Sequence, residues 1–178
     1  MFRVVLALVT VLGPLRAQDK PTGFGKPANP EKLRGLDITV FPDGKGLPVG
    51  HGSAVGGKLV YKDKCAVCHG DNGEGRDKQY GALKGGTGSL ATQKPVKSVG
   101  SFWPYATTVW DYVHRAMPYD HPRSLTNDEV YAVTAFVLHI NGIVPETLEL
   151  NEKTLPKVEM PNRNGFVPDA RPDIQSKR

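Results

Sequence analysis

Cys65-Ala66-Val67-Cys68-His69, followed by Gly70, constrains this chain more than any other stretch. Two thiols at this spacing can add across the two vinyl groups of a porphyrin. The histidine directly after the second thiol is then held beneath the iron as its proximal ligand. Three other uses of two cysteines compete. A thioredoxin-like redox pair should open a helix after a strand in a βαβ setting, whereas here a helical pattern ends at the motif. A structural zinc ion needs four nitrogen or sulfur ligands, so Cys65, Cys68 and His69 would have to recruit a second histidine. A plain disulfide suits an exported chain but leaves the adjacent histidine unexplained. The motif therefore points to one covalently bound c-type haem, attached at Cys65 and Cys68 and ligated by His69.

With 178 residues and one cofactor site, the chain suits a single compact domain with tails. Apolar residues make up only 39%, and there are 20 glycines and 15 prolines, so much of the length is loop. A largely apolar macrocycle would fill the core that so little regular structure leaves open. Residues 1–17 read as a signal peptide: Arg3 is the positive end, Val4 to Leu12 the apolar centre, and Ala17 the small residue before a cut. The apolar run is too short for an ordinary span, although a retained anchor is the alternative. The organisation expected is a signal over 1–17, a Pro/Gly-rich extended arm over 18–49, the haem domain over 50–145 and an extended tail over 146–178. The formal net charge of +5 includes Arg3 and Arg16, which leaves about +3 on the mature chain. No dense basic run or aromatic-basic pattern calls for nucleic acid.

Within the arm, Leu36 to Phe41 is a short apolar stretch that wants cover and reads as one strand-like piece. A first helix is predicted over 53–64, with Ser53 as cap and Val55, Leu59 and Val60 as its apolar stripe. Gly57 and Tyr61 put a gap and an aromatic on one face. After His69, a glycine-dense turn over 70–75 wraps the proximal side. Residues 80–100 are loop, and Lys78, Lys84, Lys94 and Lys97 are most simply a solvated face. A second helix is predicted over 104–116, stopped by Met117-Pro118, which sets Met117 on extended backbone. Thr126 and Glu129 form a capping box for a third helix that runs to Asn141-Gly142 and offers Phe136 to Gly57 and Tyr61. The tail is too sparse in apolar residues for a core, and extended chain across a surface is expected there.

A haem that only passes electrons benefits from a filled sixth position, and a thioether there favours the ferrous state. Met117 and Met160 are the methionines that remain once Met1 leaves with the signal. Met117, between two helices, is the expected ligand of the Met/His pattern. His114 and His121 would instead make a bis-histidine site, and Met160 lies in the tail. His51 and His139 read as a loop and a helix-face residue.

The order of helix, Cys65-X-X-Cys68-His69-Gly70, glycine-rich loop, helix, Met117-Pro118 and capped helix resembles class I cytochromes c over residues 50–145. The fold class implied is mostly α. Narrower likenesses are Gly-Ser-Phe-Trp-Pro-Tyr-Ala-Thr-Thr (100–108), Arg-Ala-Met-Pro (115–118), Ser-Leu-Thr-Asn-Asp-Glu-Val-Tyr-Ala-Val-Thr-Ala (124–135), Asn-Gly-Ile-Val-Pro (141–145) and Leu-Pro-Lys-Val-Glu-Met-Pro-Asn-Arg (155–163). These resemble the cytochrome subunits of bacterial sulfite and sulfane dehydrogenases. The resemblance implies haem c on Cys65 and Cys68, with iron held by His69 and Met117. It also implies a periplasmic or otherwise exported protein that accepts electrons from a molybdenum-cofactor partner of sulfite-oxidase type. Electrons would pass on to a downstream cytochrome or terminal oxidase, with no bond-making chemistry on this chain. One departure stands out: where many members carry a proline whose carbonyl orients the proximal imidazole, this loop has Gly81-Ala82-Leu83, so the carbonyl of Gly81 or Ala82 is the expected acceptor. The rival readings are a haem enzyme or ligand sensor with an open iron site, a general periplasmic carrier unrelated to sulfur oxidation, and a purely structural subunit.

Overall fold

The structure, a computed structural model, describes residues 25–76 and 80–169; the expected signal and Lys78 lie outside them. Two units are distinguished, dividing at Leu36 and Asp37. In the first, the short helix α1 (Pro30–Arg34) is capped by Asn29, whose side chain accepts from the Glu31 amide at 2.8 Å, and proline opens its first turn.

The second unit is built on the pairing of α2 (Ala54–Lys64) with α5 (Asn127–Ile140). Gly57 makes this pairing close, because a Cβ there would run into the Ala132 carbonyl. One turn further on, the rings of Tyr61 and Phe136 meet at 4.9 Å between centroids, as Phe136 was expected to do. The buried face of α2 is Ala54, Gly57 and Tyr61. This corrects the predicted stripe of Val55 and Leu59, which are 55% and 73% exposed. The helix turns Gly57 to the α5 backbone, since so close an approach excludes a branched residue there. Ser53 stands at the N-cap in extended conformation, but its hydroxyl makes no capping bond.

Helix α5 begins with the predicted box: the Glu129 amide donates to Thr126 Oγ1 at 3.2 Å, and the Thr126 amide donates to Glu129 Oε2 at 2.8 Å. Every residue from Val130 to Leu138 is buried, so α5 is the central rod of the unit. It ends at Asn141-Gly142, where Gly142 takes φ 69° and the Ile143 amide returns to the Leu138 carbonyl at 3.1 Å. A single helical turn, α3 (Ala66–His69), follows α2, and α4 (Ala106–Ala116) lies against α5 through Trp110 and Tyr131, 5.3 Å apart. Helix α4 starts later than predicted: Tyr105 is its extended cap, and Pro104 stands outside it.

Residues 37–49 hold to the helices through polar contacts. The Val40 amide donates to Asp111 Oδ1 at 3.0 Å, Thr107 Oγ1 donates to the Pro42 carbonyl at 3.0 Å, and Tyr131 Oη donates to the Pro48 carbonyl at 2.9 Å. No strand forms over 36–41; Val40 is buried while Phe41 remains exposed. The chain after Pro145 does more than cover a surface. Strand β2 (Leu150–Asn151) pairs antiparallel with β1 (His51–Gly52), His51 opposite Asn151, and a 3-10 turn (Leu155–Lys157) follows. Leu150, Leu155, Val158 and Met160 are buried in the main core cluster. Sparse apolar residues suffice here because these four fall on inward positions.

Leu155 is fully buried, so Leu155→Ala should cost about 2–5 kcal/mol. Leu148, 38% exposed, should lose less than about 1 kcal/mol in the same change. Denaturant midpoints of the haem-loaded variants check the contrast, and equal losses would place the tail outside the core.

Candidate functional site

Helix α2 delivers the motif. The Cys65 amide closes its last turn on the Tyr61 carbonyl at 2.8 Å, and the backbone then departs from regular helix at Cys65, φ −122° and ψ −36°. In the following turn the Cys68 and His69 amides both donate to the Cys65 carbonyl, at 3.1 and 3.0 Å. Cys65, Cys68 and His69 are thus three and four residues apart on one helical face, all half-buried, while Ala66 turns into the core and Val67 outward. Neither cysteine is in a disulfide.

The chain leaves the motif at Gly70, φ 79° and ψ 163°, a conformation open essentially to glycine alone. Its carbonyl accepts from buried Tyr61 Oη at 2.9 Å, which ties the exit of the motif to the α2–α5 contact. The Gly73 carbonyl accepts from the Leu83 and Lys84 amides at 2.8 and 3.0 Å, and so the loop doubles back over His69. There His69 Nδ1 donates to the Gly81 carbonyl at 3.4 Å. Of the two expected acceptors the structure places Gly81, and it leaves Nε2 as the ring nitrogen free to bind iron.

Asn141 was legible in the sequence only as a helix stop. Its Nδ2 donates to the carbonyls of Val137 and Leu83, at 2.8 and 3.0 Å, and its Oδ1 accepts from the Gly85 amide at 3.1 Å. A side-chain amide at a helix end carries both donor and acceptor and can hold a loop. The Asn-Gly pair signals that the helix stops but not which loop it catches.

Met117 is the C-cap of α4. Its amide donates to the Val113 carbonyl at 3.0 Å, its backbone is extended, φ −120° and ψ 147°, and its side chain is half-buried. Among the alternatives, His114 stacks on Trp110 at 4.8 Å, its Nδ1 is buried without a hydrogen-bond partner, and burial holds its pKa below the ordinary range. His121 is exposed with Nδ1 3.2 Å from Asp120. Met160 is packed in the core, 3% exposed. The His51 amide is held by Asp128 Oδ1 at 2.8 Å, and His139 Nδ1 lies 3.2 Å from the Val144 carbonyl. Lys84, Lys94 and Lys97 are exposed, with the Lys97 ammonium 5.0 Å from the Phe102 ring centre.

The competing uses of the cysteines fit poorly. Burial, then the neighbouring Cys68, pushes the Cys65 thiol up to about 11, opposite to the lowered value that a redox pair requires. Among the described residues no three His, Cys, Asp or Glu side chains are gathered to hold a metal ion, so zinc lacks its ligand set. A haem fits: two thiols and an oriented imidazole share one face, and Leu83, Trp103, Val113 and Ile140 are left part-covered against the core. No described helix is long and apolar enough to cross a membrane.

The cytochrome c family model matches residues 54–141. The crystal structure of the sulfane dehydrogenase SoxCD from Paracoccus pantotrophus is similar to this chain with a TM-score of 0.79 and 43% sequence identity, covering 89% of this chain and 79% of that one. No curated protein matches the sequence.

Burial above all raises the Tyr61 hydroxyl far past its ordinary value near 10. The unfolded chain therefore ionises first on the alkaline side. The stability that Tyr61 contributes is complete below pH 10 and drains away above it. Denaturation between pH 8 and 11 should show Tyr61→Phe losing stability less steeply than the parent above about pH 10. Parallel slopes would mean that the hydroxyl is not shielded.

Proposed function

The chain belongs to the cytochrome c family, a class I member carrying one covalently bound haem c and serving electron transfer, and from that premise we propose its place in a reaction. It accepts electrons from a molybdenum-cofactor oxidoreductase of sulfite-oxidase type that oxidises a sulfur compound, and passes them to a downstream cytochrome or terminal oxidase. The observation that carries this reading is the 43% identity to SoxCD, over 89% of the chain. Exported location belongs to the same proposal, with residues 1–17 as the signal.

Haem c, when bound, supplies a one-electron iron couple with little change in shape. We assign the other tasks to residues of this chain. Cys65 and Cys68 anchor the macrocycle. His69 ligates through Nε2, and its Nδ1–H bond to the Gly81 carbonyl fixes the ring plane and raises the basicity of the ligand. Met117 would supply the second protein ligand to the iron. Its half-buried place at the end of a rigid helix supports this choice, whereas Met160 is engaged in the core. With Met117 in that place, the open-iron reading would have no vacant site to use.

Partner docking falls to the surface around Met117. Trp103 and Tyr112 meet edge to face at 5.7 Å there, and Tyr119 is 80% exposed. Between Ser98 and Leu150 the basic residues are Arg115 and Arg123, and Arg115 is paired with Asp111 at 2.8 Å. An apolar face of this kind gives affinity without charge steering.

Two measurements check the assignment. Met117→Ala should abolish the near-infrared sulfur-to-iron band of the ferric protein, lower the potential and admit carbon monoxide to the ferrous one; a variant that behaves like the parent would move the ligand elsewhere. Reduction by a sulfite-oxidising molybdenum enzyme should change by less than about threefold between low and physiological salt, and a many-fold slowing would favour a charged docking ring.

A further inference from the structure

The chain after Leu155 turns back to the segment that opens α4. Asn162 Nδ2 donates to the Phe102 carbonyl at 2.7 Å, across sixty residues of sequence. The Phe166 ring meets Phe102 edge-on at 5.2 Å, and the Arg163 guanidinium lies over the Tyr105 ring at 4.5 Å. These three contacts are backed by Leu155, Val158 and Met160 in the core, so the segment that makes them is itself fixed.

The segment they hold is not secured in the usual way. Tyr105, the cap of α4, makes no side-chain capping bond, and the first turn of α4 carries no acidic residue. Twelve residues further on, the same helix ends at its C-cap, Met117. A helix of this length behaves as a rod, and a displacement at Tyr105 is passed on to Met117. A thioether is a weak donor, and its bond to iron tolerates little displacement.

We propose that Asn162, with Arg163 and Phe166 beside it, is a positioning residue for Met117: the C-terminal segment clamps residues 102–105 and thereby fixes where α4 presents its thioether. This rests on Met117 as the second iron ligand.

The test uses the full haem-loaded protein. Asn162→Asp keeps the shape of the side chain but removes the donor that faces the Phe102 carbonyl. Asn164→Asp makes the same charge change at an exposed neighbour. The sulfur-to-iron band of the ferric form and carbon monoxide binding to the ferrous form are read for both. Asn162→Asp should weaken the band and raise carbon monoxide affinity roughly tenfold, the scale of one lost hydrogen bond, while Asn164→Asp matches the parent. If Asn162→Asp does not fold, Phe166→Ala decides by the same readouts, with a smaller change in the same direction. An unchanged band and unchanged carbon monoxide affinity in Asn162→Asp, or equal effects in both asparagine variants, overturns the clamp while leaving Met117 in place. A parent protein without the band removes the Met117 reading and the clamp together.

Discussion

Gly57 lets α2 lie against the backbone of α5 at Ala132, and the position of the haem motif follows, because Cys65 is the residue that ends α2. The contact excludes side chains from one stretch of each helix, and its register admits no slip: a Cβ at Gly57 has nowhere to go. Tyr61, one turn nearer the motif, extends the contact through Phe136 on one side and through its hydroxyl to the Gly70 carbonyl on the other. The entry and the exit of the cysteine turn are thereby referred to the same helix pair. Asn141, at the far end of α5, holds the loop that returns the Gly81 carbonyl to His69. The proximal half of the site is thus a consequence of α5, reached by two routes.

The distal half proposed at Met117 would depend on α4, which meets α5 through the Trp110–Tyr131 contact and is held by chain on both of its sequence flanks. The arm reaches it through Val40 and Pro42, at Asp111 and Thr107. The tail reaches the turn before it through Asn162 and Phe166. A domain with three principal helices and little sheet has few ways to hold a helix end, and here irregular chain does that work with backbone carbonyls and amides as partners.

Much of this was legible in the sequence, for identifiable physical reasons. The motif reads directly because covalent attachment demands those residues at that spacing. The box at Thr126 and Glu129 reads because capping is local, and Phe136 against Gly57 and Tyr61 reads because a glycine gap and an aromatic one turn apart ask for a close helix with a ring opposite. On α2 and in the tail, where hydrophobicity was the guide, the reading failed. Val55 and Leu59 form the better apolar stripe of α2, yet close approach selected Ala54 and Gly57. The tail looked too sparse for a core because its buried residues are spaced without helical or strand period. The roles of Asn141 and Asn162 could not be seen at all, since a side-chain amide catching a carbonyl sixty residues away leaves no local pattern.

The central claim is that the iron is held between His69 and Met117. Proton spectra of the ferrous protein test it most directly, since a methionine methyl fixed over the haem ring is shifted far upfield. One such methyl is predicted, present in the parent and in Met160→Leu and absent from Met117→Leu. Its loss in Met160→Leu alone, or its absence from the parent, would contradict the account.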